Sequence, residues 1–359
     1  PRRFLERLAE AVGPENVLTD PADRWVYGYD NSRKQAPPEV VAFATAHAQV
    51  AAILRACHEF NVPVVARGRG TNTTGAAVPL AGGLVLSLER MTRIVSTDPA
   101  NRALRVEPGT LNQAVQDEAA KHGLFWPPDP TSAAYCTVGG NIALNAGGPK
   151  AVKYGATREN VLGLTAVTGS GETIHTGVYT TKGVVGYDLT RLLIGSEGTL
   201  AIVTEATLKL TPLPEARRTL QAVYRDIRAA TRAVVAIMGQ PVTPCALEFM
   251  DAASIEMIRN YSQAELPRGA GALLMIELDG QEVAMDAAVA AISRAAKNDG
   301  LVSLAAARTK EEAEALWAAR KALSPALRTL APNKLNEDVV VPVSRIPELI
   351  EGLEKLSKE

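Results

Sequence analysis

The chain is 359 residues long, 47% of its residues are hydrophobic, and its formal net charge is -1. This length allows two domains or one large one. The near-neutral charge, without a basic block, argues against nucleic acid and anionic membrane surfaces as partners. No apolar run approaches the roughly 20 residues of a membrane span, and residues 1–20 lack the apolar core of a signal peptide. Three widely spaced cysteines, without CxxC spacing, fit a reducing compartment. We therefore expect a cytoplasmic protein, and a peripheral position at the inner face of a membrane remains open.

The first third of the chain predicts small units of helix and strand. Apolar residues recur at helical spacing over residues 50–60. Thr110 and Gln113 have the spacing of a capping box, which predicts a helix that Gly123 closes. Strands are predicted at residues 62–66, 83–88 and 104–107.

The middle of the chain predicts an antiparallel sheet. Residues 162–168 and 172–176 flank a Gly-Ser-Gly turn as a hairpin would, and residues 200–210 have the composition of a strand. Pro212 and Pro214 then interrupt the pattern, which suggests domains at 1–213 and 214–359. For the second domain we expect an antiparallel sheet with helices on one face. Its predicted strands lie at 220–224, 246–250, 273–278, 301–305 and 339–341, and its predicted helices include 283–297 and 310–330.

Three glycine-rich stretches stand out in the first domain. They are "PVVARGRGTNTTG" (63–75), "PPDPTSAAYCTVGGNIALNAGG" (127–148) and "GSEGTLAIVTEATLKLTP" (195–212). Any one of them alone is most simply an ordinary tight turn. Together, they favour backbone cradles for one extended ligand that carries an anionic group.

These stretches, in this order, resemble the FAD-linked oxidases of the vanillyl-alcohol oxidase and p-cresol methylhydroxylase type. The similarity extends to "KYG" at 153–155 and to "NEDVVVPVSRIPELI" at 336–350. The branch most resembled is that of the D-2-hydroxyacid dehydrogenases, which includes the flavin subunit of glycolate oxidase. The resemblance implies an α+β fold, in which a two-part FAD-binding domain of the p-cresol methylhydroxylase type precedes a cap domain.

The resemblance also implies which residues hold FAD. The backbone of 67–75 wraps the pyrophosphate, and the residues near 200 form the adenine end. The implied cofactor residues are Arg67, Gly68, Arg69, Gly70, Thr71, Asn72, Thr73, Gly75, Pro128, Asp129, Thr131, Ser132, Thr137, Gly139, Gly140, Asn141, Asn145, Gly148, Tyr154, Gly198, Ile202 and Val203. Thr71 stands where relatives with covalent flavin often carry histidine, so we expect noncovalent FAD. Attachment through Cys136 is the alternative, although a buried cysteine is more often structural.

For the substrate, the resemblance points to the helix at 310–330. Arg320 and Ser324 lie at i and i+4, so they share one helix face, and a guanidinium beside a hydroxyl suits a carboxylate. In the branch resembled, the matching positions hold the carboxylate of a small 2-hydroxy acid such as glycolate or D-lactate. Lys334 and Asn336 are further candidates for the same site. The implied reaction is hydride transfer to flavin, which yields the 2-oxo acid.

The catalytic base is the missing part. The family takes its base and a metal from histidine-rich segments that follow the "NEDVVVP" stretch, and no such segment precedes Glu359. We therefore expect a base beyond Glu359, a cap domain that is incomplete at its C-terminus, and no metal bound by these residues. Two alternatives remain open: a flavin-binding subunit or fragment without activity of its own, and a flavin reductase of the same fold.

The expected partners follow from the chemistry. Apart from the 2-hydroxy acid, an electron acceptor is needed, either a protein or a quinone. No iron–sulfur cysteine pattern occurs, so an iron–sulfur partner subunit is one candidate. A homodimer is also open.

The loops lack the third glycine of a dinucleotide fingerprint and the Lys-Ser/Thr of a phosphate-binding NTPase, which disfavours both classes.

Overall fold

The computed structural model of the protein describes residues 2–262, 266–330 and 338–357. The chain divides into two compact units, Pro1–Leu213 and Pro214–Glu359. Every buried apolar cluster of the described residues draws its members from one unit alone. Each unit therefore has its own hydrophobic core.

The first unit holds two main sheets and several short helices. Its strands are β1 (Val17–Leu18), β2 (Val40–Phe43), β3 (Val64–Arg67), β4 (Leu84–Ser87), β5 (Ile94–Asp98), β6 (Ala103–Val106), β7 (Leu124–Phe125), β8 (Val161–Thr168), β9 (Thr173–Gly177), β10 (Ala201–Lys209) and β11 (Thr211–Pro212). Its helices are α1 (Arg2–Val12), α2 (Pro21–Trp25), α3 (His47–Phe60), α4 (Asn112–Ala120), α5 (Val138–Ala143), α6 (Ala151–Tyr154) and α7 (Leu189–Leu193).

The first sheet has the order β1-β2-β4-β3, in which β2, β4 and β3 run parallel. Strands β2 and β4 are buried throughout, as expected of a parallel sheet covered on both faces. Helices α1 and α3 cover one face through apolar residues such as Leu8 and Ile53. The helix predicted at 50–60 and the strand predicted at 62–66 are confirmed, and β3 ends at Arg67. The first glycine-rich loop therefore begins at the carboxyl end of a parallel strand.

The second sheet has the order β5-β6-β10-β8-β9 and is antiparallel. The predicted hairpin is confirmed, because β8 and β9 pair antiparallel around the Gly-Ser-Gly turn. The strand predicted at 200–210 is confirmed as β10, which lies between β6 and β8. A cluster that includes the fully buried Trp126 and Ile142 fills the core of this sheet.

The predicted capping box is wrong, although the helix exists. Helix α4 begins at Asn112 with Leu111 as its N-cap residue and no side-chain cap. Thr110 is buried, and its Oγ1 donates to the carbonyl of Arg93 at 3.4 Å. Gln113 instead donates to Asp117 one turn later. A tertiary contact thus takes the Thr110 side chain away from the helix end, and a contact within the helix takes that of Gln113.

The second unit is built on one antiparallel sheet of order β13-β14-β12-β15. Its strands are β12 (Ala216–Tyr224), β13 (Ala246–Asp251), β14 (Ala272–Gly280) and β15 (Leu301–Ala306). Its helices are α8 (Ile227–Met238), α9 (Ala252–Tyr261), α10 (Glu282–Ala296), α11 (Lys310–Leu330) and α12 (Ile346–Leu356). The predicted antiparallel sheet and both predicted helices are confirmed.

Helices cover both faces of this sheet rather than the one face expected. Leu274 and Ile276 of β14 pack with α8 and α10, whereas Leu273 and Met275 pack with α9 and α11. Side chains alternate between the faces of a strand, so the consecutive apolar residues 272–276 of β14 need cover on both sides. Helix α12 packs beside α8 through Ile346.

The strand predicted at 339–341 is wrong. Residues 338–342 have no regular secondary structure, and the side chain of Val340 is 94% exposed. Pro342 has no backbone N–H and follows directly, which disfavours continued strand pairing. A run of β-branched residues is therefore not sufficient evidence for a strand.

Candidate functional site

The first glycine-rich loop presents its backbone N–H groups and ties down its carbonyls. Among the described residues, none of the eight N–H groups of residues 68–75 donates a hydrogen bond within the protein. The carbonyls of Thr71 and Asn72 instead accept from Asn31, at 3.2 and 3.0 Å. Gly70 and Gly75 have φ values of 63° and 89°, which non-glycine residues rarely adopt. The loop therefore has a row of unpaired donors, which suits an anion.

A segment that the sequence analysis missed holds this loop in place. Asp30 is 6% exposed, and its carboxylate accepts from the Asn72 side chain at 2.7 Å and from the Ser32 N–H at 2.8 Å. The Asp-Asn-Ser sequence at 30–32 is typical of a side-chain-stabilised turn, and this was the only local signal. Asn72, the loop residue that this turn holds, lies 42 residues further along the chain.

The guanidinium of Arg67 is structural. It is buried and donates to the carbonyl of Tyr29 at 2.8 Å and, at 3.4 Å each, to those of Val26 and Ala77. Burial lowers the pKa of Arg67, and the nearby Asp30 opposes that shift. Any contact of this residue with a ligand in the loop must therefore come from its backbone.

The second stretch packs directly against the first. A Cβ on Gly68 would lie 2.4 Å from Thr137 Oγ1, so only glycine fits there. The N–H groups of Gly139 and Gly140 are already paired, with Pro108 O at 2.8 Å and Thr137 Oγ1 at 3.2 Å. These two N–H groups are therefore not free to bind a ligand, and the predicted cofactor role of Gly139 and Gly140 stays a prediction. A Cβ on Gly139 would lie 2.6 Å from that of Pro108, and one on Gly140 would lie 3.3 Å from Thr137 Oγ1, so both glycines allow close packing within the protein.

Polar contacts inside the second stretch fix its shape. Buried Asn141 accepts from Asn112 at 3.0 Å and donates to the Cys136 sulfur at 3.3 Å. Cys136 is 3% exposed, so its thiol faces this interior contact. The carbonyl of Pro128 accepts from the same Asn112 side chain, and Asn145 accepts the N–H of Arg158.

Asp129 joins the proline-rich loop to the start of α6. Its carboxylate accepts the N–H of Lys150 at 3.2 Å and lies 3.3 Å from the Lys150 ammonium. Burial raises the pKa of Asp129, and Lys150 opposes that shift. A Cβ on Gly148 would lie 2.3 Å from the Asp129 carbonyl oxygen, so the two loops touch. Thr131 and Ser132 follow on the same loop, and Tyr154 packs edge-on against Phe125 at 5.3 Å.

The third stretch borders a cavity of about 470 Å³. Gly198 lies beside β3, since a Cβ there would be 3.5 Å from that of Ala66. Ile202 and Val203 pair with Val167 and Ala166 of β8. The lining of the cavity is mainly apolar and includes Cys57, His58, Val62, Val64, Gly198 and Ile202. The three glycine-rich stretches thus converge within the first unit.

The predicted substrate residues lie in the second unit. Arg320 and Ser324 are one turn apart on α11, and Arg320 Nε donates to Glu248 Oε2 at 2.7 Å. Glu248 belongs to β13, and sequence reasoning did not connect it with Arg320. Lys334 and Asn336 lie outside the described residues, so their predicted role stays a prediction.

The described residues offer no metal cluster and no membrane span. Over residues 2–262, 266–330 and 338–357, no group of three or more His, Cys, Asp or Glu side chains is placed to hold a metal ion. Within the same residues, no helix is long and apolar enough to cross a membrane. His47 has hydroxyl partners at both ring nitrogens, Thr204 and Thr173, each at 2.8 Å.

Comparison with known proteins decides the family. Residues 38–177 match the FAD binding domain model, and residues 213–359 match the model for the C-terminal domain of FAD linked oxidases. The glycolate oxidase subunit GlcD of Bacillus subtilis is 40% identical over 353 residues, which cover 98% of this chain and 75% of that protein. The chain belongs to the FAD-linked oxidase family. FAD is its cofactor, and the residues fit this group: unpaired amides suit a pyrophosphate, and the apolar cavity suits a flat ring.

Further relatives and solved structures agree with this assignment. The D-lactate dehydrogenase of Anaerostipes hadrus is 34% identical over 365 residues, which cover 99% of this chain and 76% of that protein. A p-cresol methylhydroxylase structure matches 88% of this chain and 68% of its own, with a TM-score of 0.71 at 17% identity. The match to an alkyldihydroxyacetonephosphate synthase structure covers 99% of this chain and 75% of that one, with a TM-score of 0.77 at 19% identity. The predicted fold class, a p-cresol methylhydroxylase-type FAD-binding domain followed by an antiparallel-sheet domain, is confirmed.

Proposed function

We propose that this FAD-linked oxidoreductase oxidises a small 2-hydroxy acid, such as glycolate or D-lactate, to the 2-oxo acid. The observation that carries the proposal is the Arg320 guanidinium, which Glu248 contacts through Nε alone. Its Nη edge is a fork suited to a carboxylate. The names of the relatives support this choice, because glycolate and D-lactate share a carboxylate next to a hydroxyl.

We assign the cofactor contacts to the first unit. The N–H groups of residues 68–75 bind the pyrophosphate, and the cavity beside Gly198 and Ile202 receives the adenine. We propose that Gly139 and Gly140, which pack against Pro108 and Thr137, shape the backbone beside the cofactor, and that Asp129 and Asn141 hold the loops that surround it. When bound, FAD supplies a hydride acceptor. Because Thr71 occupies the position expected of an attachment residue, we propose that FAD binds noncovalently.

The cofactor part is tested by acid precipitation of the purified yellow protein. We expect FAD in the supernatant, because no covalent bond retains it. Colour that stays in the pellet would point to Cys136 and overturn the noncovalent assignment. A folded protein that neither carries nor takes up FAD would contradict the family assignment itself.

The substrate part is tested at Arg320. We expect Arg320→Ala to weaken hydroxy-acid binding by about 2 kcal/mol, because a charge-assisted pair of hydrogen bonds is lost. FAD affinity should not change. Lys321→Ala is the matched control, since it removes an exposed cation from the same helix. Calorimetric titration with glycolate, D-lactate and D-2-hydroxyglutarate measures the effect, and unchanged affinity in Arg320→Ala would remove this residue from the site.

We also propose that electrons pass to a partner, either a quinone or a second protein subunit. The three cysteines are buried and far apart in sequence, which does not suit an iron–sulfur cluster. The word "subunit" in the name of the Bacillus subtilis relative is consistent with such a partner. A quinone acceptor would favour the cytoplasmic face of a membrane as the site of action.

A further inference from the structure

Two carboxylates of the second-unit sheet hold helix α11 by consecutive turns. Trp317 Nε1 donates to Glu277 Oε2 at 2.7 Å, and Arg320 Nε donates to Glu248 Oε2, also at 2.7 Å. Trp317 and Arg320 are three residues apart, so they lie on the same side of the helix. Glu277 additionally accepts from the Thr219 hydroxyl at 3.4 Å. The Trp317–Glu277 hydrogen bond therefore fixes the helix backbone next to Arg320 independently of the Arg320–Glu248 contact.

The two glutamates mark the end of an apolar surface. Glu248 on β13 is paired in register with Met275 on β14, and Glu277 is paired with Ala246. Met250 and Met275, on the same sheet face, are each 1% exposed beneath α9 and α11. The Glu248 side chain is 18% exposed and that of Arg320 is 35% exposed. A carboxylate so far out of water needs a partner, and Arg320 is that partner.

The contact uses one edge of the guanidinium only. Among the described residues, Arg320 makes its hydrogen bond through Nε, and neither Nη atom donates to the protein. A guanidinium is planar, so a strong bond at Nε fixes the plane in which both Nη groups lie. A second carboxylate can then meet two parallel N–H groups at the Nη edge.

We propose that Glu248 is the positioning residue of Arg320: it accepts the Nε–H and orients the Nη edge toward the carboxylate of the 2-hydroxy acid. The proposal rests on the proposed function. Because Glu248 already holds the Arg320 side chain in one orientation, binding of the acid does not have to order it, and the entropy cost that would weaken affinity is smaller.

An opposite role makes the opposite prediction. If Glu248 instead occupied Arg320 as a competitor of the substrate, its removal would strengthen hydroxy-acid binding. Under the positioning role, removal weakens binding. The sign of one measured change thus separates the two roles.

The experiment uses the FAD-saturated protein and calorimetric titration with D-lactate, glycolate and D-2-hydroxyglutarate. We expect Glu248→Ala to weaken binding about tenfold, within the usual range of coupling between contacting residues. Glu248→Gln should stay within about threefold of the wild type, because its amide oxygen still accepts the Nε–H. Glu248→Asp keeps the charge but loses reach, so it should weaken binding nearly as much as alanine. Glu314→Ala, which removes an exposed acid from α11, is the control.

A double-mutant cycle tests whether Glu248 acts through Arg320. In the Arg320→Ala background, Glu248→Ala should cause no further loss of affinity. An equal loss in both backgrounds, or tighter binding by Glu248→Ala or Glu248→Gln, overturns the proposal. If Glu248→Ala does not fold, the comparison of the Gln and Asp variants still decides.

Failure of the proposed function looks different. In that case the wild type binds none of the three acids, or Arg320→Ala binds them as well as the wild type does. The positioning role fails alone when Arg320→Ala weakens binding but every Glu248 variant matches the wild type.

Discussion

At the residue scale, Asp30 has the largest consequence for the cofactor loop. It is a buried carboxylate that holds the Asn72 side chain, while Asn31 next to it holds two loop carbonyls. These contacts use loop side chains and carbonyls, so they leave the N–H groups of residues 68–75 unpaired. A preformed cradle loses less conformational entropy when an anion binds.

Replacing Asp30 should therefore weaken FAD binding. We expect Asp30→Ala to raise the dissociation constant of FAD about tenfold, because the loss of one or two hydrogen bonds of about 1 kcal/mol each frees the loop. Quenching of flavin fluorescence during titration of the apoprotein measures this constant. Asp23→Ala, which removes an exposed acid from α2, should bind FAD like the wild type. Equal affinities for both variants would show that Asp30 does not support the site.

At the scale of elements, the loop after β3 depends on glycines with positive φ. Gly70 and Gly123 have nearly the same φ, 63° and 68°, but different surroundings. A Cβ on Gly70 would lie 2.3 Å from the Arg67 guanidinium, whereas one on Gly123 would meet nothing within 4 Å. Comparing alanine substitutions at these two positions therefore separates the effect of backbone strain from the effect of a clash inside the loop.

We expect Gly70→Ala and Gly123→Ala to share a strain penalty of about 1–2 kcal/mol in the free energy of unfolding. Only Gly70→Ala should also weaken FAD binding, because the new methyl group displaces the Arg67 guanidinium from the carbonyl of Tyr29. Urea denaturation measures the first effect and FAD titration the second. Normal FAD affinity in Gly70→Ala would mean that the anchoring of Arg67 is irrelevant to the cradle.

At the scale of the whole molecule, the two units have separate hydrophobic cores. Leu8 belongs to a core cluster of the first unit and Leu274 to one of the second, and both are fully buried. Substituting such residues by alanine typically costs about 2–5 kcal/mol. Because the described clusters share no residue across the units, each substitution should act on one core.

Differential scanning calorimetry should accordingly resolve two unfolding transitions. We expect Leu8→Ala to lower the midpoint of one and Leu274→Ala that of the other. Excess FAD should raise the transition that Leu8→Ala lowers, because a ligand stabilises the unit that binds it. A single transition that responds equally to both substitutions would show that the units unfold together.

Much of the architecture was predictable because it depends on local patterns. The β8–β9 hairpin follows from two β-type runs around Gly-Ser-Gly, and the helices near 283–297 and 310–330 follow from their periodicity. The capping-box prediction failed because of a tertiary contact. Thr110 satisfied the local rule for a capping box, but a carbonyl on a neighbouring segment took its hydroxyl.

By itself, the sequence determined the fold class, the FAD family and the position of the glycine cradle. The helices and strands follow from apolar periodicity, whereas the fold class and the FAD family follow from the resemblance of the three glycine-rich stretches to a known family. Only the tertiary structure decided which N–H donors are unpaired, and which distant side chains hold the cofactor loop and Arg320 in place. Asp30 and Asn72 are 42 residues apart, and Glu248 and Arg320 are 72 apart. Such pairs form only when strands and helices pack, because no local pattern specifies which distant group will satisfy a buried charge or amide.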